Sequence, residues 1–153
     1  MPFQFRLKSL MRQREFLLRQ AQGALGAALS ARMKIESEIE RLREVIHLES
    51  AQFEKEQRGG IGTGRYLYFK DRLGVLEHEL LQAIKMLEKA TTEVEMRKQT
   101  MIECDKAVKT LENIESRDRE LYKLAQSREE QKKLDYAAVL IEHRKTVDKG
   151  GKL

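Results

Sequence analysis

Apolar residues recur along this chain in alternating steps of four and three over two long stretches. Eleven of fourteen positions are apolar in the first stretch, and thirteen of fourteen in the second. A spacing of 3.5 residues, sustained over about seven heptads with charged residues between, is typical of coiled-coil helices. These positions, called the seam below, are Leu7, Met11, Arg14, Leu18, Ala21, Leu25, Ala28, Arg32, Ile35, Ile39, Leu42, Ile46, Glu49 and Phe53, then Tyr66, Phe69, Leu73, Leu76, Leu80, Ala83, Leu87, Ala90, Val94, Arg97, Met101, Cys104, Val108 and Leu111.

The segment between the two stretches, RGGIGTGR at 58–65, holds four of the nine glycines. A phosphate-binding loop would follow a strand, and a P-loop would end in Gly-Lys-Ser or Gly-Lys-Thr. This segment follows a predicted helix and ends in Gly-Arg-Tyr. Because glycine favours helix C-termini and tight reversals, the segment is predicted to be a turn between two helices.

The pattern therefore predicts an all-α fold, a long antiparallel two-helix coiled-coil hairpin with a C-terminal helix overhang. Pro2 is the only proline, so nothing after it forces a helix to break. The chain is interpreted as one coiled-coil domain, with a helix over 5–57, a turn over 58–65, a helix over 66–146 and a flexible tail over 147–153.

An antiparallel hairpin also predicts which seam residues meet, because the numbers of facing residues should sum to about 122. The predicted pairs are Phe53 with Phe69, Ile46 with Leu76, Leu42 with Leu80, Ile35 with Leu87, and Leu18 with Cys104. Arg32 would face Ala90 and Arg97 would face Leu25, with long stems that pack while the guanidinium reaches water. Residues beyond about 119 would have no partner within the chain. That region carries apolar residues that invite a partner: Leu121, Leu124, Leu134, Tyr136, Val139, Leu140 and Ile141.

Charge is unevenly distributed along a chain that is 36% charged with a formal net charge of +5. Residues 1–34 carry a net +6, residues 35–57 a net −4, and residues 117–153 a net +3. A hairpin would bring the two positive segments to the end far from the turn, where an acidic partner would be favoured. Nucleic acid is the rival partner, but acids are interleaved among the bases of 117–153 and aromatics for stacking are few.

The residues offer little for catalysis or metal binding. His47, His78 and His143 are scattered, and Cys104 lies on the seam as a small apolar residue. We therefore predict a protein that is not an enzyme, with no catalytic residues, cofactor or metal site. One cysteine indicates a reducing compartment. Residues 1–20 are similar in composition to a mitochondrial transit peptide, but the heptad pattern continues through them, so they are interpreted as part of the coiled coil. No apolar run is long enough to insert into a membrane.

Three segments carry a resemblance to a known family. FQFRLKSLMRQREFLLRQAQGAL, GGIGTGRYLYF and EEQKKLDYAAVLIEHRK together resemble FliJ proteins, the coiled-coil components of the bacterial flagellar type III export apparatus. The similarity covers nearly the whole chain. Two alternatives stay open: a stalk protein of a virulence type III secretion system, and a general helical-hairpin adaptor or nucleic-acid-binding coiled coil.

The resemblance implies that the protein is a central stalk in the ring of a hexameric export ATPase. It also implies contacts with the regulator of that ATPase, with export chaperones and with the cytoplasmic domain of the membrane export gate. It implies a cytoplasmic protein, peripherally associated with the inner membrane at the flagellar base. The resemblance implies that Leu42, Val45 and Leu76 contact the export gate. At three other positions of that contact, the residue type differs from the one common in the family: Glu49, Arg72 and Ala83. The ATPase or chaperone contact is assigned to Arg12, Arg19, Gln131, Lys132, Lys133, Leu134 and Asp135.

Overall fold

Two long helices make up the computed structural model, which describes residues 2–150. Helix α1 is Lys8–Arg58 and helix α2 is Thr63–Gly150, and no strand occurs among the described residues. The two helices pack against each other as a helical hairpin, which confirms the predicted all-α fold. Helix α1 begins three residues later than predicted and α2 three residues earlier. Residues 147–150 of the predicted tail are helical, and 151–153 lie outside the described residues.

The chain divides into two compact units, which are described separately. The hairpin unit is Phe16–Asp105. The terminal unit consists of the N-terminal fifteen residues and the chain from Lys106 onward, of which 2–15 and 106–150 are described. Each unit holds one stretch of α1 and one stretch of α2.

The core of the hairpin unit lies on the predicted seam. Four residues are buried together, and six partly buried residues pack against them. Both members of three predicted pairs, Ile46 with Leu76, Leu42 with Leu80 and Ile35 with Leu87, belong to this cluster. The ring centroids of Phe53 and Phe69, a fourth predicted pair, lie 5.1 Å apart. The facing of Leu18 and Cys104 stays a prediction. The cluster consists of Ile39, Leu42, Leu76 and Ala83, with Ile35, Val45, Ile46, Leu80, Ile84 and Leu87 around them.

Two arginines, Arg32 and Arg97, occupy seam positions of the hairpin unit. Arg97 is exposed, and its Nε donates a hydrogen bond to Oε1 of Glu93 on the same helix at 2.7 Å. Arg32 is partly buried, with its Nε 3.6 Å from Oε1 of Glu36. Arg97 thus keeps its charged end in water, whereas Nε of Arg32 is buried with no hydrogen-bond partner among the described residues.

The reversal between the helices depends on one glycine with a left-handed backbone. Gly60 has φ = +85°, and no other described residue has a positive φ. Its N–H donates to the carbonyl of Gln57 at 3.3 Å, one of the two bonds of a Schellman helix end. The carbonyl of Gly62 accepts the first bond of α2, from the N–H of Tyr66 at 3.0 Å. The non-helical segment is therefore only residues 59–62, shorter than the predicted turn.

In the terminal unit, the segment before α1 lies against α2. Phe5 is buried, and the rings of Phe3 and Tyr122 are 5.6 Å apart between centroids. The guanidinium of Arg119 lies 4.8 Å from the Phe3 ring centroid, and Arg6 pairs with Asp118 at 3.7 Å. The expectation that residues beyond about 119 lack a partner was therefore wrong at Tyr122. A non-helical chain advances about 3.3 Å per residue against 1.5 Å in a helix, so a few residues reach farther along α2 than the heptads predict.

Removing Leu42 from the core should strongly destabilise the hairpin unit. Leu42 is 2% exposed, so Leu42→Ala should lower the free energy of unfolding by about 2–5 kcal/mol through lost burial and a cavity. Leu48→Ala is the matched control, because Leu48 lies on the same helix and is 61% exposed. Urea unfolding followed by circular dichroism measures both changes. Equal losses in the two variants would contradict the proposed core.

Substitution of Gly60 should weaken the turn, whereas substitution of Gly64 should not. An alanine at the left-handed position 60 should cost about 1–2 kcal/mol of the free energy of unfolding. Gly64 is helical with no atom within 4 Å of an added Cβ, so Gly64→Ala should be neutral or stabilise by up to about 1 kcal/mol. Thermal unfolding of both variants tests this order, and a Gly60→Ala variant as stable as Gly64→Ala would refute it.

Candidate partner-binding surfaces

The residues predicted to contact the export gate lie in or against the core of the hairpin unit. Leu42 and Leu76 are 2% and 8% exposed, and both belong to the buried cluster. Val45 is partly buried and packs against that cluster. The structure thus brings the three residues into one packed group, in which only Val45 keeps appreciable accessible surface.

An open groove lies on α2 beside Leu76, and its most exposed apolar residues were not singled out from the sequence. Tyr68 is 51% exposed and Val75 is 58% exposed. The groove has a volume of about 500 Å³. Large apolar residues at positions between the seam residues are the sequence signal that could have found it. The groove is lined by Tyr68, Asp71, Arg72, Val75, Leu76 and Glu79.

Two arginines of α2 form ion pairs with α1 close to the turn. Nε and Nη2 of Arg65 donate to the two carboxylate oxygens of Glu56, each at 3.1 Å. Nε of Arg72 lies 3.0 Å from Oε1 of Glu49. Glu49 and Arg72, two of the positions where the resemblance implied a departure from the family, therefore pair with each other. These pairs join the two helices in the same antiparallel register as the core.

The Arg65 guanidinium also lies over aromatic rings. It is 4.9 Å from the Phe69 ring centroid and 5.4 Å from that of Tyr68. The hydrogen bonds from Arg65 hold the pKa of the Glu56 carboxyl below its ordinary value of 4.5. The same bonds raise the pKa of Arg65. Arg65 thus links the ionised carboxylate of α1 to the aromatic cluster at the start of α2.

The residues assigned to the ATPase or chaperone contact are exposed. Arg12 lies on α1 in the terminal unit, and Arg19 lies on α1 in the hairpin unit. The remaining five, Gln131 to Asp135, are consecutive on α2 in the terminal unit. Nε2 of Gln131 donates to Oδ1 of Asp135 at 3.1 Å, and Lys132, Lys133 and Leu134 face solvent. The structure therefore leaves these side chains accessible to a partner.

Every described residue of α2 after Tyr122 is exposed, including several large apolar ones. Exposed apolar groups concentrated on one helix are unusual for a protein without a partner. The large ones are Leu124, Leu134, Tyr136, Val139, Leu140, Ile141 and Val147. This stretch of α2 is the part of the terminal unit best suited to bind another protein.

The described residues hold no group of three or more His, Cys, Asp and Glu side chains arranged to bind a metal. Within residues 2–150, neither helix has an apolar stretch long enough to cross a membrane. His47, His78 and His143 are exposed, and Cys104 is a partly buried free thiol.

Comparison with known proteins identified one family. A family model described as "Flagellar FliJ protein" matches residues 3–146, nearly the whole chain. No curated protein and no solved structure matched the chain.

The Glu56–Arg65 pair predicts a pH-dependent contribution to stability. Because the pKa of Glu56 is lowered in the folded protein, its pair stabilises the fold above the ordinary carboxyl pKa, and this stabilisation is lost as pH falls through the folded pKa. Glu56→Gln should therefore have a lower melting temperature than the unsubstituted protein at pH 7, and the difference should shrink as pH falls below the ordinary carboxyl pKa and disappear once the pH is below the lowered pKa of folded Glu56.

Glu54→Gln provides the control, because among the described residues Glu54 pairs with Arg58 on its own helix and not with α2. Melting temperatures of the three proteins between pH 3 and pH 7 provide the measurement. A Glu56→Gln deficit that stays constant across this range would show that the ionised pair does not join the helices.

Proposed function

Because the chain belongs to the FliJ family of flagellar proteins, we propose that it is a non-enzymatic stalk of the flagellar protein export machinery. In this proposal it acts in the ring of the hexameric export ATPase and links that ring, together with the ATPase regulator, to the membrane export gate and to export chaperones. The flagellar system is favoured over a virulence system because the matching family is described as flagellar.

The exposed end of α2 is the observation that carries the proposal. Residues 123–150 are helical, entirely exposed and rich in both lysine and large apolar residues. A stalk needs such an end, because it must offer apolar surface to a surrounding partner and cationic side chains to acidic groups there. Arg12, exposed in the terminal unit, and Arg19, exposed in the hairpin unit, are each proposed to attract acidic groups of a partner as well.

The gate contact is proposed to lie on the hairpin unit around Val45. Leu42 and Leu76 are buried, so they would support this contact by holding the helices together beneath it. Val45 has accessible surface of its own and can meet a partner directly. A cytoplasmic position at the inner membrane of the flagellar base follows from a gate partner and is part of the same proposal.

Truncation after Gln126 should separate folding from ATPase stimulation. The shortened chain keeps the Phe3–Tyr122 contact and the hydrogen bond from Gln126 to Tyr122 but loses the segment from Gln131 to Asp135. Its unfolding midpoint by circular dichroism should stay close to that of the full chain, while stimulation of the purified export ATPase should fall to the basal rate. Full stimulation by the truncated chain would refute the assigned contact.

Charge reversal tests whether the basic residues recognise the ATPase or bind polyanions in general. The test variant is Lys132→Glu with Lys133→Glu, and the control is Lys85→Glu with Lys89→Glu, at exposed positions of the hairpin unit. Surface charges contribute little to stability, so both should fold normally. Binding to the ATPase and to a random DNA duplex is measured over a salt series. A test variant that keeps ATPase affinity but loses duplex binding would favour the nucleic-acid alternative.

A further inference from the structure

The hairpin unit contains a long stretch with few buried residues. It is called the middle segment below and consists of residues 22–34 of α1 and residues 88–100 of α2, which lie opposite each other in the register of the core pairs. Among these described residues Val94 alone is buried. An equal length of both helices beside it, residues 35–47 and 75–87, holds all four residues of the buried cluster. The middle segment therefore has less apolar packing to hold the helices together.

The seam residues of the middle segment are mostly small or charged. Arg32 and Arg97 occupy two seam positions, and each pairs with a glutamate on its own helix, so neither ion pair joins α1 to α2. Nε of Arg32 is buried without a hydrogen-bond partner among the described residues, which is unfavourable for a donor. Two further seam positions are alanines, Ala28 and Ala90, which bury little apolar area. The contact between the helices is therefore weakest here.

The two helices are also weakened internally within the middle segment. Gly23 and Gly26 lie inside α1 and are exposed, and apart from the adjoining stretch of α1 no atom lies within 4 Å of a Cβ added at either. Glycine inside a helix is less favourable than alanine, and close packing does not require it at these positions. On α2, the hydroxyls of Thr92 and Thr100 each donate to the carbonyl four residues earlier at 3.1 Å. Such bonds slightly destabilise a helix.

We infer that the middle segment is a hinge, at which the helices separate and α1 loses helical hydrogen bonds while the core beside the turn stays closed. Local opening requires the least free energy where few apolar residues are buried and the helix is intrinsically weak, and both conditions hold here. The contacts of Phe53 with Phe69 and of Arg72 with Glu49 lie outside the hinge and keep the register, so the helices pair again as before. The inference depends on packing within the hairpin unit and not on the proposed function.

Amide hydrogen exchange of the isolated protein, followed by mass spectrometry of its peptides, tests the hinge. Protection factors, which correct for the intrinsic exchange rate of each residue, should be at least about tenfold lower in residues 22–34 than in residues 35–47. The same difference should separate residues 88–100 from residues 75–87. Equal protection in the middle segment and in the core would refute the hinge.

Alanine substitutions distinguish local opening from unfolding of the whole hairpin unit. Gly23→Ala with Gly26→Ala should raise the protection of residues 22–34 about five- to thirtyfold, because each alanine favours the closed helix. Gly74→Ala is the matched control, since Gly74 is also helical and exposed, with no atom beyond the adjoining helix within 4 Å of an added Cβ, but lies on α2 outside the middle segment. It should leave the protection of residues 22–34 unchanged.

Two results would overturn the inference. If Gly74→Ala raises the protection of residues 22–34 as well as that of the core, the middle segment opens only when the whole hairpin unit unfolds. If the double glycine variant leaves the protection of residues 22–34 unchanged, α1 does not open there. Circular dichroism checks that each variant keeps its helicity. Because only the isolated chain is used, failure of the proposed function would leave these results as they are.

Discussion

The apolar seam between α1 and α2 in the hairpin unit is the interaction on which the other features depend. Ile39, Leu42, Leu76 and Ala83 are buried there, and no polar or charged residue is buried anywhere in the described chain. Most stability of a protein helix comes from tertiary packing of its apolar side rather than from propensity alone. Because one apolar stripe on each helix provides this packing, the remaining surface of the hairpin unit can carry charged residues.

The turn and the ion pairs beside it select the register that the seam uses. Gly60 closes α1 with a left-handed backbone, and α2 begins three residues later. Arg65 and Arg72 then reach Glu56 and Glu49 across the pair of helices. Exposed ion pairs contribute little to stability, so their main effect is to favour one alignment over others. The aromatic contact of Phe53 with Phe69 adds buried area at the same place.

Residues used for folding and residues available for binding are largely distinct in this chain. Leu42 and Leu76 are used in the core, so the proposed gate contact depends on Val45 and on accessible neighbours of the groove such as Tyr68. At the end of α2 the situation is reversed, because apolar residues such as Leu134 and Leu140 are not used in any described core. A helix that keeps such residues in water has a surface ready for another protein.

The sequence by itself determined the two helices, the glycine turn and the seam, because a 3.5-residue apolar period and four clustered glycines are local signals. It also determined the pairing of Phe53 with Phe69, since a turn of known position sets the register of an antiparallel pair. Only the tertiary structure decided that Phe3 reaches Tyr122, because a non-helical segment follows no heptad. Likewise, only the tertiary structure showed that Val45 is the most accessible of the three residues predicted to contact the gate, since burial depends on how closely two helices approach.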